Sequence, residues 1–379
     1  MGMMDKIAAT MGYEKRAADP SWAALGSNVG YPATLSARAS ENLSSVLGCV
    51  TAISTALASI PALVYQVTDN GRKEIESHPL RNLIRNGANE GMNWPDFIEH
   101  WVASTLLTGN GLAQIERDSR GQVSALRYIP WQWVSVVELR TGRLAYDVSD
   151  GKGKSWRLLQ SEVLHLRDRT DNGLVGRSRL SRAANTVAAI TASNDFAREF
   201  LINGAQPSGV IKSPAVLSLE QMKNIKAQFQ ERYSGAKNAG RTLVLDNGLD
   251  WSAAQVSPED AELLETRKFG VEEICRLFQV PPPLVQDYSN NTFTNSETAG
   301  RWFAMFCLTP WARKIEAEFC RSLFSSASKL EMELDLTGFL RGDPATRWQA
   351  HAIALANNVL DPNEVRQVEG WNPRAEQAL

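Results

Sequence analysis

The stretch FQVPPPLVQDYSNNTFTNSET, Phe278–Thr298, separates two strongly helical patterns and shares the character of neither. Upstream, SPEDAELLETRKFGVEEICRLFQV opens with Ser257 as a cap and Pro258 in the first helical position. Its residues Leu264, Val271, Ile274, Cys275 and Phe278 form one apolar stripe. Pro281, Pro282 and Pro283 are expected to end that helix, because proline has no N–H and crowds the preceding turn. Downstream, SETAGRWFAMFCLTPWARKIEAEFCRSLF reads as another long helix, with Pro310 expected to kink it. Between them lie Gln286, Asp287, Tyr288, Ser289, Asn290, Asn291, Thr292, Phe293, Thr294 and Asn295, read as a mostly polar loop. No Lys or Arg occurs from Val280 to Gly300.

Working towards the N-terminus, SRLSRAANTVAAITASNDFAREFLIN predicts an Ala-rich helix over 178–203, capped by Ser178 and stopped at Gly204. A small α/β insert follows over roughly 205–257. It contains a strand at GVIK, a helix capped by Ser218 with Gln221 three residues on, and two strands joined at Asn247-Gly248. From Leu112 to Leu166, short alternating runs separated by turn residues predict an antiparallel meander. The segment Asn42–Thr68 carries no charge. Its serines and threonines, and Pro61, mark it as an amphipathic helix leading into a strand, with Val46, Leu47, Val50, Ile53, Leu57 and Ile60 on one side. A membrane span is not expected there. The first 170 residues thus read as one α+β domain, preceded by a loose arm over residues 1 to about 40. The C-terminal part gives a strand, LEMELDL, then two helices opened by Asp343-Pro344 and Asp361-Pro362, the second with Glu364 in the capping-box position.

Composition narrows the function. The formal net charge of -2 excludes a protein that grips nucleic acid by bulk positive charge. Cys49, Cys275, Cys307 and Cys320 are scattered without a CxxC pair, as in a reduced cytoplasmic product. The N-terminal residues lack an apolar run of signal-peptide length. DGKGKS at 150–155 is not a phosphate loop, because Val148 stands where the first glycine is needed and the segment lies between strands. The four histidines lack metal-ligand spacing, and no nucleophile elbow is present. His165 is expected on a strand facing solvent or a neighbour, and Asp168 and Asp171 as solvated partners of Arg167 and Arg169. No catalytic residue, metal site or cofactor is expected. Most of the eleven tryptophans are expected in the core and some at subunit interfaces.

The order of motifs resembles that of the portal protein family of tailed bacteriophages, in the branch of long-tailed phages and gene transfer agents. GLVGRSRL, NGAQPSGVI, ICRLFQVPPPLV, TFTNSET, LTPWARKIEAEF, LRGDPATR and LDPNEVRQVEGWNP carry the likeness, over about residues 40 to 375. Two departures are that most relatives have Gly where this chain has Gln279, and Tyr-Ser where it has Thr292 and Phe293. The resemblance implies an α+β portal fold, divided as follows: arm 1–40, wing 41–177, stem helix 178–203, clip 204–257, stem helix 258–279 and tunnel loop 280–296. A kinked helix and strand returning to the wing (297–337) and a crown (338–379) complete it. It further implies a ring, commonly of twelve subunits, at one capsid vertex of the virion, made in the host cytoplasm. Double-stranded DNA would pass through it without sequence preference, and its partners would be the terminase large subunit, the major capsid protein and a head-tail adaptor. The alternatives are an undetected DNA-processing enzyme and a different ring-shaped adaptor.

Overall fold

The computed structural model describes residues 40–69, 71–202, 209–212, 218–225, 250–253, 259–288, 293–324, 328–340, 344–369, 371–372 and 374. The N-terminal arm, the greater part of the 205–257 insert and residues 289–292 lie outside them. The architecture is mixed α+β, built around one large core and one small satellite core.

Helix α1 (Ser44–Ser59) buries Val46, Cys49, Val50, Ile53 and Leu57. Leu47, expected on that stripe, is exposed, and Cys49 takes the inward place. Among the described residues no helix is long and apolar enough to cross a membrane. Strand β1 (Ala62–Thr68) pairs antiparallel with β2 (Gly71–Glu74) on one side. On the other it pairs with β11 (Leu330–Leu334), in the register Ala62↔Leu334 and Val64↔Met332. Helices α2 (Pro79–Asn86) and α3 (Trp94–Thr108) follow. The Asn93 side chain caps α3 by accepting from Asp96 N at 2.8 Å, and left-handed Gly109 ends it. The core then joins distant segments through aromatic contact: Phe319 packs against Trp94 and Trp101 with ring centroids 5.6 and 5.7 Å apart.

The run from 110 to 167 differs from a single meander. Strand β3 (Asn110–Arg117) is central, flanked by β4 (Val123–Ile129) and β8 (Val163–Arg167), both antiparallel. Strands β5 (Val134–Glu138), β6 (Leu144–Ser149) and β7 (Ser155–Leu159) form a second three-stranded sheet with its own core. The physical reason is that β8 carries VLHLR with nearly every residue buried, which suits pairing beside a helix-covered strand and not an exposed edge. Asp150–Lys154 is the β6–β7 turn, closed by Asp150 Oδ1 accepting from Lys152 N and Lys154 N.

His165 is likewise not a solvent-facing strand residue. It is buried between the two sheets and stacks on Trp131. Its Nδ1 lies 2.9 Å from the Tyr146 hydroxyl and its Nε2 3.1 Å from Asn110 Oδ1. Burial, reinforced by Arg167 and Arg321, holds its pKa well below the ordinary value, so the imidazole is neutral. It is a packed, fully bonded strut between the two sheets.

The helix expected over 178–203 is broken. Ser178 caps α4 (Arg179–Arg182), Ala183 leaves helical geometry, and α5 (Ala184–Ile202) continues. Strand β9 (Gly209–Lys212) pairs antiparallel with β10 (Asp250–Ala253). Ser218 and Gln221 form the expected reciprocal cap. Helix α6 (Glu259–Phe278) packs back along α5, close enough that a Cβ on Gly270 would sit 3.3 Å from the Ile190 side chain. Helix α7 (Phe293–Trp302), a π-helical turn (Phe303–Leu308) and α8 (Thr309–Leu323) run on without interruption. The π turn answers the Pro310 problem: widening one turn ahead of the proline removes the need for its missing N–H. Thr309 Oγ1 donates to Ala304 O at 2.8 Å across the widened turn. Short α9 (Thr337–Leu340), then α10 (Pro344–Ala356) and α11 (Pro362–Val368), are the last helices among the described residues. His351 and Arg347 of α10 both meet Glu369 just past α11, at 2.9 and 2.8 Å.

Candidate functional site

The polar segment after α6 is held from a stiff base. The regular helix closes at Phe278, just ahead of the three prolines, where Gln279 turns left-handed at φ 60°. Gln279 N then donates to Arg276 O at 3.3 Å and Val280 N to Cys275 O at 2.9 Å, the paired closure of a Schellman stop, with Val280 buried beside it. The last carbonyls are satisfied from outside: Arg179 Nη1 donates to Leu277 O at 3.2 Å and Cys307 Sγ to Phe278 O at 3.5 Å. Burial pushes the Cys307 thiol up to about 12, which keeps it a neutral donor. Cys49 and Cys275 meet with their sulfurs 4.0 Å apart between α1 and α6, and all four cysteines are free thiols.

Pro281 caps, and Pro282 and Pro283 begin, a 3₁₀ turn over Pro282–Val285. A Cβ on Gly48 would come within 3.4 Å of the Val285 side chain, so the turn is clamped on α1. Gln286, left-handed at φ 64°, and Asp287 close it by donating to Pro283 O and Pro282 O, both at 3.1 Å. Tyr288 is exposed. Ser289, Asn290, Asn291 and Thr292 lie outside the described residues. Phe293, Thr294 and Asn295, expected in the loop, are the first residues of α7. The second helix therefore starts earlier than the sequence suggested.

Replacing Gln279 with Gly is expected to stabilise the chain by about 0.5 kcal/mol. It removes a left-handed penalty of roughly 1 kcal/mol and returns part of that as unfolded-chain entropy. Urea unfolding of Gln279→Gly against the parent measures it; a lower midpoint at equal slope overturns the strain argument.

Asp168 is also placed differently from its expectation. It is buried, with 5% of its side chain exposed, between Arg179 Nε at 3.4 Å and Lys314 Nζ at 3.9 Å. Both cations also lie over the Trp311 ring, at 5.6 and 4.9 Å from its centroid. Asp171 remains exposed, paired with Arg182 at 2.6 Å. Arg179 thus joins the buried carboxylate to the end of α6. Sequence spacing could not bring 168, 179, 277 and 314 together. The same holds for the outer side of the α7–π–α8 helix, where Trp302, Met305 and Phe306 are exposed. The signal for these was present in WFAMFCL, seven apolar residues running all round a helix. Among the described residues no group of three or more His, Cys, Asp or Glu could hold a metal ion.

This order of elements is that of a known class. The family profile described as phage portal protein matches residues 44–370. The probable portal protein of Streptomyces phage phiC31 is 31% identical over 368 residues, covering 94% of this chain and 80% of that one. The portal protein of Enterobacteria phage HK97 is 30% identical over 338 residues, covering 87% and 79%. A chain in the neck of a native gene transfer agent particle, computed with C12 symmetry, shares the fold with a TM-score of 0.58 at 24% identity, covering 93% and 98%. The chain belongs to the phage portal protein family. It is a structural, non-enzymatic virion component of the portal vertex, where it forms the channel for DNA. The alternative of an undetected enzyme falls with that membership.

Proposed function

We propose that this chain closes into a ring of twelve around the DNA, with the segment 280–296 as the loop that faces the axis. Helices α4–α5 and α6 make the stem, and the insert between them makes the clip, the docking surface for the terminase large subunit and later for a head-tail adaptor. The sheets of residues 41–177, with β11, form the wing against the major capsid protein. Residues 338–379 form the crown. The C12 symmetry of the gene transfer agent neck supports the count. One observation carries the loop assignment: a rigid Schellman-and-proline base from which a cation-free stretch departs. Each phosphate that a protein neutralises adds sequence-independent affinity. A channel through which DNA must slide therefore benefits from neutral polar contacts. Between Val280 and Gly300 the chain offers Asn, Thr, Ser and Gln, with Asp287 and Glu297 as acids.

Deleting residues 289–295 tests this. The variant is expected to form rings of wild-type mass, while particles assembled with it package or retain several-fold less DNA. Packaging at the wild-type level would reject the loop assignment.

A further inference from the structure

We infer that the outward side of the α7–π–α8 helix is the seam on which a second copy of this chain seats, receiving the carboxylate-bearing outer face of that copy's β2–β1–β11 sheet. The inference rests on the ring reading and names the surfaces through which the ring closes.

The helix has two unlike sides. Phe303, Ala304, Cys307, Leu308, Trp311 and Ile315 are buried in the core. On the opposite side Trp302, Met305 and Phe306 are 61%, 54% and 61% exposed, and the Trp302 and Phe306 rings meet edge to face at 6.5 Å. A helix side bathed in water carries polar residues, whereas Trp, Phe and Met are the types concentrated at the centres of protein interfaces. Cations edge the stripe: Arg301 follows Gly300 beside Trp302, and Arg313, 71% exposed, reaches back to Glu316 at 2.9 Å while its outer side stays open to solvent.

The charge selects the occupant. On the outer face of the first sheet, Leu63 and Tyr65 alternate with inward Ala62 and Val64. Across from them stand Glu333 and Glu331 of β11, and Glu74 of β2 lies opposite Tyr65. Arg72 and Arg81 offset only part of that charge, bonding Glu333 at 2.6 Å and Glu74 at 2.7 Å. Burial above all, and then Glu333 and Glu74, raise the Tyr65 phenol above its ordinary value, against an opposing effect of Arg72. The two surfaces cannot meet within one chain. Leu334 N donates to Glu316 Oε1 at 2.9 Å and Met332 N to Cys320 Sγ at 3.5 Å, which lays the inward side of α8 along the free edge of β11 and turns the stripe away. A ring of more than two subunits joins two different faces of the same chain, so an aromatic stripe edged by the exposed Arg313, against a sheet face that carries Glu331 beside two bridged carboxylates, meets its requirement.

The test measures the mass of the full chain by light scattering. Wild type and Leu47→Glu, a control at another exposed apolar site, are expected as rings. Phe306→Glu is expected as a species of 41.8 kDa with the far-UV spectrum of the parent. A second pair guards against misfolding. Arg313→Glu is expected to raise the concentration at which rings dissociate by about tenfold, the lower range for one interfacial charge pair. Adding Glu331→Arg to it should restore the parent value. Rings of wild-type stability in Phe306→Glu, or no rescue by Glu331→Arg, would overturn the seam. A wild-type chain that stays monomeric would instead reject the ring reading beneath it.

Discussion

Replacing Gly176 with Ala is expected to destabilise the chain by about 4 kcal/mol, the largest effect of any single methyl group considered. A Cβ there would overlap the Gly109 carbonyl oxygen and lie 3.0 Å from Asp168 N. Neither neighbour can yield cheaply, because both are backbone. Gly109 O accepts from Asp168 N at 2.9 Å, and Gly109 is itself pressed on Ser178 N, 2.6 Å from where its own Cβ would stand. The Asn110 side chain holds both backbone groups of Gly176, accepting from its N–H at 2.8 Å and donating to its carbonyl at 2.9 Å. Overpacking costs roughly 1–3 kcal/mol, and separating the strands would break those two bonds at about 1 kcal/mol each. Gly121→Ala is the comparison. Gly121, unlike Gly176, is left-handed, at φ 78°, but nothing lies within 4 Å of its Cβ position, so only backbone strain of about 1 kcal/mol is added. Urea unfolding of the two variants side by side decides the matter; equal losses would mean that this backbone crossing is not tight.

That junction shows where the sequence was legible and where it was not. Caps are local chemistry, and they read correctly: Ser178 before α4, Ser218 with Gln221, and Glu364 accepting from Asp361 N at 2.7 Å. Pro310 was readable as a disturbance, but whether a helix kinks or widens into a π turn depends on what its neighbours allow. The stop of α6 was assigned to three prolines because proline is a strong local signal. The stop is made at Gln279, where most relatives carry Gly, and its left-handed backbone is made tolerable by Arg179 and Cys307 from other elements. Strand pairing was the least readable. Nothing near β1 announces that its partner is β11, and the burial of His165 and Asp168 follows from such distant pairings.

Under the loop assignment proposed above, a firm base and a cation-free composition serve one end. A ring that surrounds a moving polymer has to fix the position of each loop without holding the polymer. Position comes from backbone closures and from Val285 against α1, none of which uses charge. The cations of this region are kept away from the loop and spent on Trp311 and Asp168.

Asp168→Ala should therefore loosen the loop's base as well as the fold, at a cost of about 3 kcal/mol. Its carboxylate is the buried counter-charge for Arg179 and Lys314, and its Oδ1 also accepts from Arg169 N at 2.8 Å. Removing one member of a buried pair costs roughly 3–5 kcal/mol; the half-exposed Lys314 ammonium can turn to water, which brings the loss to the lower end. Without Asp168 the two cations confront each other across the Trp311 ring, and Arg179 is drawn from Leu277 O, its bond to the end of α6. Asp168→Asn keeps the shape and the Arg169 contact but loses the charge, so it should lose nearly as much. Adding Lys314→Met to Asp168→Asn removes one of the confronting cations and should recover part of the loss, whereas Lys314→Met alone should be close to neutral. Denaturant unfolding gives the four stabilities, and hydrogen exchange at Gln279 and Val280 reports the loop base. Additive losses in the pair, with unchanged exchange at those two amides, would show that Asp168 serves only its own loop.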